Sequence, residues 1–295
     1  MGTAIVVAAL LVSPVQQETD WNAVEVKAEK VAGNVYMLTG RGGNIGVSAG
    51  DDGVILVDDQ YAPLTDKVKA AVASISDKPI RFLLNTHWHG DHTGGNENLG
   101  KGGVVIVAHE NVRKRMSVEQ FNESFGEKVP AAPKGALPIV TFTDAVTFHM
   151  NDDDVRCFHV APAHTDGDTI VHFQKANVVH MGDTFFNGMY PFIDLSSGGS
   201  FEGMIAAADQ VLGIVDASTR IIPGHGPVGD KAALAAYRDM LAKVRDRVKP
   251  LVAAGKSLED VKTAKPTQDL DGKWGQGFMK PDVWLGIAYA SLKGK

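Results

Sequence analysis

This chain has a single cysteine, Cys157, so no disulfide can form within it and its fold must rest on packing. Aromatic residues supply only 7% of the sequence, but the wider hydrophobic set reaches 44%, enough for a substantial core. Clustered basic residues are scarce as well. The net charge is −6, and the run Arg113-Lys114-Arg115 reads as a solvated helix face. Binding along a nucleic-acid backbone needs a stripe of Lys and Arg, so nucleic acid is excluded as substrate. No apolar run approaches the roughly 20 residues that span a bilayer, and no stable membrane insertion is expected. The run Ala4 to Val12 has about the length of a signal-peptide core, but no Lys or Arg precedes it and no clear A-x-A site follows. It is read as part of a leader over residues 1–20, which makes the protein periplasmic or secreted. A buried N-terminal strand in a cytoplasmic protein is the alternative. There is no G-x-S-x-G elbow and hence no signature of a serine hydrolase. Heptads, low-complexity tracts and linkers are missing too.

What is present is concentrated in Thr86-His87-Trp88-His89-Gly90-Asp91-His92. From His87 the pattern is H-x-H-x-D-H, and imidazole and carboxylate are ligands that zinc and similar divalent ions prefer. The segment follows an apolar run, Ile80, Phe82, Leu83 and Leu84, that reads as a buried strand, and Gly90, Gly94 and Gly95 interrupt any regular continuation. Three further candidates stand where apolar runs stop. His164 lies in a turn after Val155 to Val160, Asp183 ends the run Asn177 to Met181, and His225 follows Ile221-Ile222-Pro223-Gly224. Sheets collect such strand ends along one edge. Seven ligands are too many for one tetrahedral ion and suit two.

These motifs, in this order and spacing over roughly residues 23 to 240, resemble the metallo-β-lactamase superfamily. The resemblance implies an α/β fold, a four-layer αβ/βα sandwich made of two similar halves, with metals in a groove along one sheet edge. It implies that His87, His89 and His164 hold one ion, that Asp91, His92 and His225 hold a second, and that Asp183 bridges them. The cofactors would be two Zn ions, with Fe or Mn possible on the same ligands. Asp58, at the end of an apolar strand, would be a second-layer partner of a ligand histidine or an ordinary turn carboxylate. The Gly40–Gly46 turn corresponds to a hairpin that leans over the substrate in lactamase-type relatives.

The remaining histidines read as structural. His149, His159, His172 and His180 fall inside strand-like segments, and His109, which follows Val104 to Ala108, borders the site at most. Cys157 is mid-strand and reads as packing. Strands are expected over Val24 to Leu38 and Gly46 to Val57, and helices over Leu64–Ile75, Glu110–Phe125, Phe201–Leu212 and Lys231–Val248. Residues 21–250 would form the metal-binding domain. Residues 251–295 would be a helical appendix packed down by Trp274, Phe278 and Trp284.

Two divalent ions held close together lower the pKa of a shared water to near 7 and polarise a carbonyl. The function expected is a dinuclear zinc hydrolase that uses a metal-bridging hydroxide to open a small-molecule amide, ester, thioester or lactone. Asp91 would be the catalytic residue that orients the attacking solvent and carries its proton. β-Lactam hydrolysis, native or promiscuous, is the alternative. The first β-lactamase subclass has Arg where His92 stands, Cys at Asp183 and commonly Lys at Phe186. The third shares H-x-H-x-D-H but lacks the bridging Asp, which is instead the pattern of glyoxalase II and lactonases. An iron-dependent oxidoreductase on the same scaffold is the third reading. The full seven-ligand set separates this chain from single-iron persulfide dioxygenases, and the missing flavin domain separates it from flavodiiron proteins. The aromatic loop Phe185 to Phe192 would offer apolar surface beside the metals.

Overall fold

A computed structural model describes residues 19–123 and 126–294. The run Ala4 to Val12, and with it nearly all of the expected leader, lies outside the described residues. The first half folds into strands β1 (Lys27–Ala32), β2 (Val35–Thr39), β3 (Ile45–Gly50), β4 (Gly53–Val57), β5 (Ile80–Asn85) and β6 (Val105–His109), with a small hairpin β7 (Gln120–Asn122) and β8 (Glu127–Val129), then β9 (Val140–Phe142). Helices α1 (Thr65–Ala73), α2 (Gly90–Thr93), α3 (Asn96–Lys101) and α4 (Glu110–Met116) connect them. The second half supplies β10 (Ala145–Met150), β11 (Asp153–His159), β12 (Thr169–Phe173), β13 (Val178–His180), β14 (Arg220–Ile222) and β15 (Gly229–Asp230). Its helices are α5 (Phe201–Leu212), α6 (Lys231–Ala253), α7 (Leu258–Thr263), α8 (Asp271–Trp274) and α9 (Pro281–Lys293).

Among the described residues, one sheet runs β1-β2-β3-β4-β5-β6-β9 and the other β10-β11-β12-β13-β14-β15. The first is antiparallel up to β4 and parallel from β4 to β9. In the second, only β13 and β14 pair in parallel, joined by the α5 crossover.

Period-two alternation places the layers. Ile55, Val57, Leu84 and Val107 face Val155, Cys157, Val171 and Phe173 between the sheets. Their strand neighbours Val54, Leu56, Leu83 and Ile106 turn outward onto Leu64, Val68, Val72 and Leu99. Across the molecule Phe158, Ile170, Val179 and Ile221 are covered by Met204, Ala208 and Val211 of α5 and Tyr237, Leu241 and Val244 of α6. The order helix, sheet, sheet, helix is the four-layer αβ/βα sandwich expected from the motifs. Burial pushes the Cys157 thiol well above the ordinary range, which fits a packing role.

Several element boundaries differ from the expectation. The strand expected over Val24 to Leu38 is two, β1 and β2, turning at Gly33 with φ +53°. Gly46 to Val57 is likewise split by the turn at Asp51 and Asp52. The helix expected over Glu110 to Phe125 stops at Met116: the Val118 N–H turns to the Arg115 carbonyl three residues back, and the Gln120 side-chain amide donates to the same carbonyl at 3.0 Å. The chain then enters β7. Helix α6 runs past Val248 to Ala253 through Pro250, which sits in the last turn and removes only one backbone bond there. Leu251 and Val252 still pack on the core. No helix among the described residues is long and apolar enough to cross a membrane.

The C-terminal segment packs on α5 and α6 through Trp284, Leu285 and Ala288. Trp274 and Trp284 are buried, as expected. Tyr190 links this segment to the loop after Asp183: its ring stacks on Trp284 at 4.0 Å, and its hydroxyl donates to Asp271 at 2.8 Å. Phe278 departs from the expectation. It is 53% exposed and lines the cleft over the candidate site rather than holding the segment down.

Candidate metal centre

Each expected ligand stands just past the end of a strand. His87 and His89 lie on the loop after β5, and Asp91 and His92 are in the short helix α2. His164 sits between β11 and β12, Asp183 in a single 3-10 turn after β13, and His225 after β14. The strand ends converge, so all seven side chains meet. His87, His89 and His164 bring one ligand atom each within 4.8 Å of one another, and so do Asp91, His92 and His225. Asp183 lies between the two trios. Its Oδ1 is 3.1 Å from His92 Nε2, and its Oδ2 is 3.5 Å from both His164 Nε2 and His225 Nε2 and 3.9 Å from His87 Nε2.

The outer nitrogens identify which ring atom is free to ligate. Asp58 accepts from His92 Nδ1 at 2.8 Å, from the Thr86 amide at 2.8 Å and from the Thr86 hydroxyl at 2.7 Å. A carboxylate only accepts, so Nδ1 of His92 carries a proton and Nε2 turns inward. Asp58 is held in the left-handed region at φ +64°, a strained conformation that aims the carboxylate at these three donors. The contact expected between Asp58 and a candidate ligand histidine is present. His89 directs Nε2 to Asp194 at 2.9 Å and Nδ1 to His164 Nε2 at 2.9 Å, while His164 Nδ1 donates to the Phe192 carbonyl at 2.8 Å. His87 Nδ1 lies 3.0 Å from the Thr86 hydroxyl.

Burial leaves its mark on these groups. His87 Nε2, His92 Nε2 and Asp183 Oδ1 are buried and make no hydrogen bond, although buried polar atoms nearly always find a partner. Burial pushes the His164 pKa down to about 4 and that of His87 well below its usual value, keeping both neutral. For His92 and His225 burial acts in the same direction, but Asp183 and Asp91 outweigh it. They hold His92 well above its usual value and His225 at about 9. Asp91 stays ionised with a pKa of about 2, because His92 and His225 overcome the cost of burying it. Positive charge is therefore favoured where the carboxylates and the second trio meet. A bound metal ion would satisfy the same orphaned atoms and take the place of the protons.

Glycines let the walls close on this centre. A side chain at Gly224 would collide with Asp183 Oδ1, and one at Gly43 would fall on the His92 ring. Asn44 fastens the Gly40–Gly46 turn to the His225 loop, donating to the Pro223 and Gly226 carbonyls at 3.0 and 2.8 Å.

Two supporting residues escaped the sequence reading. Asp194 orients His89 from 105 positions away, with a Ser-rich 3-10 turn as its only local signal. Asp168 accepts from the His164 and Thr165 amides at 2.6 and 2.9 Å and so shapes the ligand loop; burial raises its pKa to about 7. The leftover histidines stay outside the metal-ligand groups found among the described residues. His109 caps α4 through Asn111 and stacks on His159 at 3.9 Å. His180 is buried and contacts the Asn44 carbonyl at 3.1 Å.

An αβ/βα sandwich with a His/Asp metal-ligand cluster at one sheet edge defines a class of metalloprotein. Residues 38–254 match the model of the metallo-beta-lactamase superfamily, and the chain belongs to that superfamily. It is 26% identical over 164 residues to the 2,4-dinitroanisole O-demethylase subunit alpha of Nocardioides sp., covering 54% of this chain and 46% of that protein. It is 27% identical over 199 residues to the atrochrysone carboxyl ACP thioesterase of Aspergillus terreus, covering 67% and 51%. The chain thus spans about half the length of these relatives. Among solved structures, the metallo-beta-lactamase from Pontibacter korlensis superposes with a TM-score of 0.60 at 18% identity, covering 74% of this chain and 99% of that one.

Proposed function

We propose that this protein is a dinuclear zinc hydrolase that opens a small-molecule ester, thioester, lactone or amide. The observation that carries the reading is the position of Asp183 between the two donor trios, with Oδ2 3.5 Å from both His164 and His225, and Oδ1 3.1 Å from His92 without making a hydrogen bond. In this assignment His87 Nε2, His89 Nδ1 and His164 Nε2 hold one ion, Asp91, His92 and His225 hold the other, and Asp183 is shared. Bound divalent ions would supply Lewis acidity and lower the pKa of a water. The chain's own residues do the rest. Asp58 and Asp194 fix the faces of His92 and His89, and Thr86 ties Asp58 to the ligand loop. Asp91 Oδ2, ionised and 3.3 Å from His225 Nε2, is the group placed to orient an attacking water and accept its proton. It is the catalytic residue of this reading. Imidazole and carboxylate donors with no thiolate suit zinc, and they also accommodate iron or manganese.

The thioesterase among the relatives supports a carbonyl substrate, while the O-demethylase shows that resemblance to this scaffold does not fix the bond cleaved. For β-lactams, the position that commonly carries a lysine in the first lactamase subclass is Phe186. Its ring is fully buried and stacked on His225 at 5.2 Å, so no cation stands there to grip a lactam carboxylate. The partner of this reading is a small molecule. The test is hydrolysis by the zinc-loaded protein of a cephalosporin, a γ-lactone and an acyl thioester, each with and without chelator. Chelator-sensitive opening of the lactone or thioester supports the proposal. Turnover that survives full metal removal contradicts it.

A further inference from the structure

Phe278 stands beyond residue 254, where the match to the superfamily ends, yet it helps to form the cleft over the metal centre. That cleft, of about 670 Å3, is bounded by His89, Asp91, Asp183 and His225 at its floor and by Trp88, Phe192 and Phe278 among its walls. Trp88 and Phe192 are each only 5% exposed, whereas Phe278 is 53% exposed, so it contributes far more open aromatic surface than either. Its ring centroid lies 6.1 Å from that of His225 and 6.1 Å from that of Phe186. Its backbone is pinned. Gly277 packs so closely on Met189 that an added Cβ would come within 2.8 Å of the Met189 Cβ, and the Tyr190 amide donates to the Trp274 carbonyl at 2.8 Å. The C-terminal segment thereby locks onto the loop that follows Asp183 and presents one aromatic ring beside a ligand histidine.

We propose that Phe278 is a specificity residue, binding a flat apolar group of the substrate against the His225 end of the cleft. The substrate class is then an acyl compound that carries an aromatic or similarly bulky apolar substituent. This rests on the hydrolase reading for its chemistry, but the binding role can be measured without turnover. An aromatic ring seated on another gains from buried area and from ring–ring contact together, and both are lost on truncation to a methyl group.

The experiment uses the full metal-loaded chain and two readouts. Phenylacetate binding, followed by calorimetry, is expected to weaken at least ten-fold in Phe278→Ala, about 1.4 kcal/mol, and to recover in Phe278→Tyr. The ratio of kcat/KM for a phenylacetyl thioester over the acetyl thioester of the same thiol is expected to fall at least ten-fold in Phe278→Ala. Phenylacetate affinity within two-fold of wild type in Phe278→Ala would overturn the proposal, as would an equal loss for both thioesters. Failure of the hydrolase reading shows differently: neither thioester would be turned over by the wild type in a chelator-sensitive way, while phenylacetate binding would still report on Phe278.

Discussion

Replacing Asp183 with Ala is expected to weaken metal binding at both donor trios and to lower turnover by about 10^3-fold or more. Changing a residue that merely orients a ligand typically costs 10–100-fold in affinity or activity. A carboxylate shared by two ions should cost more, because its loss removes a ligand and a compensating charge from each. Asp183 reaches toward His92 with one oxygen and toward His87, His164 and His225 with the other, as a shared carboxylate would need to. Asp183→Asn keeps the shape and removes the charge, so it should retain some metal but little activity. Metal content by mass spectrometry, together with turnover of the best substrate, decides the matter. Two tightly held ions and a near-normal rate in Asp183→Ala would remove the residue from its bridging place.

The second large effect is expected at Asp58, which belongs to none of the candidate ligand groups. In Asp58→Ala the Thr86 amide and His92 Nδ1 lose their acceptor inside the protein, and the Thr86 hydroxyl keeps only its contact with His87 Nδ1. A buried donor left unpaired costs about 1–3 kcal/mol, so a loss of about 3–5 kcal/mol in metal-free stability is expected, read from urea unfolding. Alanine brings no relief at φ +64°, where Asp and Asn are the better tolerated side chains. The ion on Asp91, His92 and His225 should bind 10–100-fold more weakly. Asp58→Asn separates the two effects. Its carbonyl oxygen can still accept from Thr86, restoring part of the stability, but its amide cannot serve every donor and leaves His92 poorly oriented. Wild-type stability together with wild-type metal affinity in Asp58→Ala would show that the carboxylate is incidental.

The candidate ligands were legible as a cluster because each stands near where a short apolar strand stops, a signal that is local in sequence. Asp58 was partly legible for the same reason, as the last residue of an apolar run. Asp194 and Asp168 were not. The first acts on a histidine 105 residues away, and the second acts on backbone amides of its own turn, where any turn aspartate looks alike. The end of α4 was missed because Glu110 to Phe125 carries no proline and no glycine, and a Gln120 side chain folding back onto the Arg115 carbonyl leaves no mark in the sequence. Phe278 was misjudged on composition. An aromatic beside Trp274 and Trp284 reads as core, and only the docking of that segment on Met189 and Tyr190 turns its ring into the cleft.

In the proposed enzyme two ions act together on one shared carboxylate. This joint action is tested most directly by adding zinc stepwise to the metal-free protein and recording turnover at each equivalent. Little activity is expected until the second equivalent is added, with saturation at two and loss of that second-equivalent response in His92→Ala. Full activity at one equivalent, or activity with no metal at all, would contradict it.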